Sequence, residues 1–149
     1  MAFTNGDFET GDLTGWTKGE YNAVVAVSAG AKRTGTYGCS IAVTTEDSGD
    51  GWGSVSQSIS TAFDTVRFDY KVAAFADPPT TSVWFSVSVS VHDESHNDQV
   101  CEVYAAEISS TSDWATLPIT KAACEAAFPD GWHWNESGNT TISIKCQVQ

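Results

Sequence analysis

The sequence predicts an all-β fold, an antiparallel β-sandwich of jelly-roll topology. Two observations carry that expectation: segments in which apolar and polar residues alternate strictly, and turn residues that recur between them. In the clearest segment, 82–92, Val83, Phe85, Val87, Val89 and Val91 share one face, while Trp84, Ser86, Ser88, Ser90 and His92 share the other. A parallel sheet covered on both sides would read as continuous apolar runs, which the chain lacks.

The other elements follow from the same reading. Segment 66–72 alternates Phe68, Tyr70 and Val72 inward against Arg67, Asp69 and Lys71 outward. Further strands are expected over 24–29, 39–44, 54–60, 99–107, 115–119 and 140–148. One short helical insertion is expected near 120–127, capped by Thr120 and stopped by Pro129. Cys39, Ile41 and Val43 share a face, as do Ile142, Ile144, Cys146 and Val148, so Cys39 and Cys146 should point into the core. At 149 residues, with no repeat or low-complexity linker, the chain reads as one jelly-roll domain over 1–149.

Composition limits the partners. Nineteen Asp and Glu against seven Lys and Arg give a net charge of −12, which opposes binding to nucleic acid or to anionic membranes. It is compatible with calcium, neutral sugars or basic proteins. No stretch approaches the ~18 apolar residues of a membrane helix, and the start at Met1 has no signal peptide. Cys39, Cys101, Cys124 and Cys146 are too dispersed for a zinc site. They form two disulfides or stay as buried thiols; if bridged, Cys39–Cys146 would tie an early strand to the last one and Cys101–Cys124 would pin the helical insertion.

The opening Asn5-Gly6-Asp7-Phe8-Glu9-Thr10-Gly11-Asp12-Leu13-Thr14-Gly15-Trp16 resembles the first segment of galactose-binding-like β-jelly rolls, which include many carbohydrate-binding modules of glycoside hydrolases. The likeness continues in order through 33–41, Ser56-Gln57-Ser58-Ile59, Phe68-Asp69-Tyr70-Lys71-Val72, Asp113-Trp114 and the terminal strand. Read on their own residue types, Gly6, Gly11 and Gly15 permit a tight N-terminal wrap, anchored by Phe8 and Trp16. The resemblance further implies one structural calcium, with Glu9 as a ligand and the 33–38 turn offering carbonyls. The chain departs from that pattern at its end, where Lys145 stands in place of a carboxylate. The acidic segments 46–51 and 93–98 lack the spacing of a calcium loop and read as hairpin tips.

No nucleophile elbow, metalloprotease motif or phosphate loop is present, and His92, His96 and His133 form no recognisable constellation, so no enzymatic activity is expected. Binding has a more definite basis. Aromatic rings stack on the C–H faces of sugars, and polar groups bond the hydroxyls around the edge. Parity places Trp84 among serines on an outer face, as a sugar platform or as a surface covered by a loop or neighbouring subunit. Arg67 and Asp69 would add polar contacts if their strand lies in the same sheet. Trp52, in the glycine-rich segment 50–53, and Trp132 and Trp134 are read as loop aromatics that meet a ligand, a partner or the domain's own rim. The expected function is a non-catalytic module of carbohydrate-binding type. Its expected setting is the exterior of a phage-like virion, as a decoration, head-fibre or adhesion protein contacting glycan, capsid or further subunits of an oligomer. The alternative setting is extracellular, as a module of a secreted glycoside hydrolase.

Overall fold

The computed structural model describes residues 3–44, 50–60, 62–75, 82–93, 97–128 and 139–149. Among them run β1 (Thr17–Tyr21), β2 (Ala23–Ser28), β3 (Gly38–Val43), β4 (Gly51–Ser60), β5 (Thr65–Tyr70), β6 (Val83–Asp93), β7 (Asn97–Ile108), β8 (Ala115–Thr120) and β9 (Asn139–Val148). The helix α1 (Lys121–Ala127) follows β8, where sequence placed it, and the Thr120 side chain accepts a hydrogen bond from the Ala123 N–H. A five-stranded sheet has the order β1-β4-β9-β6-β7, and β2-β3 and β5-β8 form separate two-stranded ribbons. Every pairing is antiparallel.

The two ribbons cover one face of the five-stranded sheet. Beneath β5-β8 and α1, the sheet residues Ile59, Val87, Val89, Cys101 and Ile142 pack with Val66, Leu117, Ile119, Cys124 and Phe128. Beneath β2-β3, Val55 packs with Val25 and Trp16, flanked by Phe8, Leu13, Cys39 and Ile41. Phe3 touches both clusters and stacks on Trp16 at 5.3 Å between ring centroids. The N-terminal wrap is held from the sheet side by a buried glutamine: Gln57 donates to the carbonyls of Thr4 and Gly15 and accepts the Thr4 N–H. The amide thus bonds with both donors and its acceptor, which is what makes a polar group tolerable at a core position.

Strand β1 is not visible in the sequence pattern. Thr17–Tyr21 is an edge strand of mostly exposed residues, so no apolar alternation marks it. A second difference corrects the reading of Trp52 as a loop residue: it belongs to β4, which begins at Gly51. Gly51 and Gly53 are buried there, not turn residues. A Cβ on Gly53 would lie 2.6 Å from Ile41 Cγ2 and 3.1 Å from Val25 Cγ2, so its hydrogen lets the β2-β3 ribbon close onto the sheet.

Neither suggested disulfide is formed, because Cys39, Cys124 and Cys146 are thiols. Cys124 and Cys39 pack in the two apolar clusters as small hydrophobic side chains, and Cys146 is half-buried. Burial pushes the Cys39 and Cys124 thiols up to about 11 and raises Cys146, so all three stay protonated and poorly reactive at neutral pH.

Gly53→Ala is expected to lower the unfolding free energy by about 1–3 kcal/mol through overpacking. Denaturant titration checks this, and a variant as stable as the wild type would show that Ile41 yields its place freely.

Candidate functional site

The core decides which side chains are left for binding. With Val55, Ile59, Val87, Val89 and Ile142 turned toward the ribbons, the opposite parity of β4, β6 and β9 faces outward. Register then sets these residues in rows across the sheet. One row reads Tyr21, Trp52, Gln147, Trp84, Glu107 from β1 to β7. The next reads Gly19, Ser54, Lys145, Ser86, Ala105, and the third Thr17, Ser56, Ser143, Ser88, Glu102. Strands lie 4.7–4.9 Å apart, so Trp52 and Trp84 stand about 10 Å from each other across Gln147.

The face is thus an aromatic ridge beside a trough of small and hydroxyl side chains. Trp52 leans into the trough: a Cβ on Gly19 would lie 2.7 Å from its ring. The Lys145 ammonium lies 5.5 Å from the centroid of the same ring. Tyr21, 53% exposed, ends the ridge. Beside Trp84 is a depression of about 250 Å³ lined by Trp84, Ser86, Glu102, Ala105, Gln147 and Gln149.

A β-bulge places one of these residues. Val87 pairs with Tyr104 but Ser88 pairs with Glu102, so Val103 is an extra residue on β7. Without it, the parity that turns Tyr104 inward would also turn Glu102 inward. The bulge reverses the alternation, sending Cys101 to the core and Glu102 to the outer face. Sequence reasoning missed Glu102, Gln147, Lys145 and Tyr21. For Gln147 and Lys145 the alternation of β9 was a usable signal, since both have the parity opposite to Ile144 and Cys146.

The chain also matches a known family over most of its length. The Carbohydrate binding domain family matches residues 2–120. The chain belongs to this family. Similar folds occur among solved carbohydrate-binding modules. One, from a study of the promiscuous specificity of modules of the β-sandwich superfamily, is 18% identical at a TM-score of 0.61 and covers 95% of this chain and 57% of its own. TmCBM61, solved with β-1,4-galactotriose, is 16% identical at a TM-score of 0.52, with coverages of 97% and 89%. The C-terminal family 22 module of Clostridium thermocellum Xyn10B is 12% identical at a TM-score of 0.52, with coverages of 96% and 87%. These likenesses are ones of fold. The chain thus spans little more than half the length of the first of them. No curated protein sequence matches it.

Other residues singled out in the sequence of this carbohydrate binding domain lie elsewhere. Arg67 and Asp69 are not beside Trp84, because β5 pairs only with β8 and belongs to the covering layer. Asp69 is engaged there, 2.6 Å from the Arg33 guanidinium and accepting the Thr116 hydroxyl. Trp132 and Trp134 lie outside the described residues, as do most of the acidic segments 46–51 and 93–98.

Glu9 is held by donors. Its Oε1 accepts the N–H groups of Thr36 at 2.8 Å and Tyr37 at 2.9 Å, and its Oε2 lies 3.0 Å from the Thr36 nitrogen. Gly35, at φ +72°, makes room: a Cβ there would lie 2.5 Å from Oε1. The 33–38 turn therefore offers Glu9 N–H groups where the calcium expectation needed carbonyl oxygens. Among the described residues no group of three His, Cys, Asp or Glu side chains could hold a metal ion. This donor set does not fit calcium, which takes six to eight oxygens. Glu9 acts instead as a clamp between the N-terminal wrap and the turn.

The Tyr37 and then the Thr36 N–H hold the Glu9 carboxyl below its ordinary value of 4.5. A lowered folded-state value means that the stabilisation is complete above the ordinary value and is lost as pH falls through the lowered one. Glu9→Gln should therefore lower the thermal midpoint at neutral pH, with the gap to wild type closing in acid. Midpoints measured from pH 7 downward check this; a midpoint that rises on adding calcium would show that the carboxylate leaves the N–H groups for an ion.

Proposed function

We propose that this chain is a non-catalytic carbohydrate-binding module whose glycan lies across the outer face of the five-stranded sheet. The row Tyr21, Trp52, Gln147, Trp84, Glu107 carries the reading. Two indoles separated by one polar strand suit an extended sugar chain: the rings stack on C–H faces and Gln147 reaches hydroxyls between them. Lys145 and the serines of the trough supply further hydrogen bonds along the edge. Family membership over residues 2–120 supports the same ligand class. So does TmCBM61, a similar fold solved with a galactotriose.

The face is built to hold and not to react. Ser86 lines the depression, and no described base hydrogen-bonds to it, which supports a role in holding a ligand. Among the described residues no helix is long and apolar enough to cross a membrane. The proposed setting is outside the cell, where glycans are met, with the module joined to a glycoside hydrolase or displayed on a virion. The same face would serve in either.

Binding to a panel of soluble β-glucans, xylans and galactans by isothermal titration tests the reading. Trp84→Ala and Trp52→Ala should each weaken binding by about tenfold or more, with thermal midpoints close to wild type because both rings lie outside the core. Failure to bind any glycan, or binding untouched by both substitutions, would overturn it.

A further inference from the structure

Resting on the binding face proposed above, we infer that the depression beside Trp84 takes a sugar bearing a free amine, as in a β-linked glucosamine polymer. Among the described residues lining it, Glu102 is the one that is charged, and the others are Trp84, Ser86, Ala105, Gln147 and Gln149. The carboxylate is turned there by the Val103 bulge. A second carboxylate, Glu107, stands directly across from Trp84 on the same strand. Lys145 on β9 is the register neighbour of Ser86, but its ammonium is turned away toward β4, 5.5 Å from the centroid of the Trp52 ring.

The floor also has unused hydrogen-bonding capacity. Ser86 is only 9% exposed and lines the depression, and its hydroxyl bonds to no other described residue. A buried hydroxyl without a partner carries a desolvation cost that a ligand group would relieve. An ammonium fits this lining better than a hydroxyl does. It forms a charge-assisted hydrogen bond with Glu102, sits favourably near the indole face of Trp84, and is drawn in by a chain of net charge −12.

The experiment compares β-1,4-linked oligomers of glucosamine, N-acetylglucosamine and glucose, of equal length, by isothermal titration to the full chain. The glucosamine oligomer should bind about tenfold more tightly than the glucose oligomer, and the advantage should shrink with added salt. Glu102→Gln should abolish the advantage, while Glu125→Gln, an exposed acid on α1, should preserve it and so separate a specific contact from general attraction. Equal or tighter binding of the glucose or N-acetylated oligomer, or an advantage that survives Glu102→Gln, overturns the amine inference and leaves the glycan face standing. If Trp84→Ala leaves the binding of every oligomer unchanged, the glycan face itself falls.

Discussion

The architecture depends on the alternation of β6 and β9 at the centre of the five-stranded sheet. Val87, Val89 and Ile142 are fully buried on one side of these strands. Because the pleat repeats every two residues, turning those three inward turns Trp84, Ser86, Lys145 and Gln147 outward. A one-residue slip of either strand would exchange the two sets, placing a lysine and serines in the core. The proposed binding face is therefore a by-product of the dry face. It needs no local device of its own, except at β7, where the bulge at Val103 decides the direction of Glu102.

The opening motif has a different task. Its residues fold around Asn5, whose side chain bonds the carbonyls of Asp12 and Thr14 and the N–H of Thr10. Phe8 adopts φ 61°, uncommon for a bulky side chain, and stacks on Trp16 at 5.3 Å. Gln57 fastens the wrap from beneath, and Glu9 fastens it to the 33–38 turn. All of this happens on the covered side of the sheet, away from Trp52 and Trp84. The segment that most resembles a carbohydrate-binding family thus speaks to the fold, and the residues proposed to meet a sugar come from the strands.

Charge is distributed in keeping with that division. Lys18–Glu20, Arg33–Asp69 and Lys121–Glu125 are exposed pairs, of the kind that contributes roughly 0–1 kcal/mol. The outer face instead mixes indoles, small hydroxyl side chains and glutamine, with Lys145 in the middle of the trough and carboxylates on β7. On the proposed reading, such a surface would discriminate by hydrogen bonding and ring stacking, with the carboxylates favouring ligands that are neutral or positive.

Local information was legible in the sequence and long-range pairing was not. The alternation of 82–92 located β6 and turned Trp84 outward, and Thr120 located α1, because pleat parity and helix capping depend only on near neighbours in the chain. Trp52 was misplaced because its flanking glycines look like turn residues until the β2-β3 ribbon is laid against them. Arg67 and Asp69 share the parity of an outer face but of another layer, since alternation says nothing about which strands become neighbours. Glu102 depended on a bulge, which shows itself only when two strands are aligned. The sequence by itself therefore determined which side chains could face solvent. Tertiary pairing decided which of them stand together, because bringing Trp52 and Trp84 to either side of Gln147 requires β4, β9 and β6 to choose each other across the length of the chain.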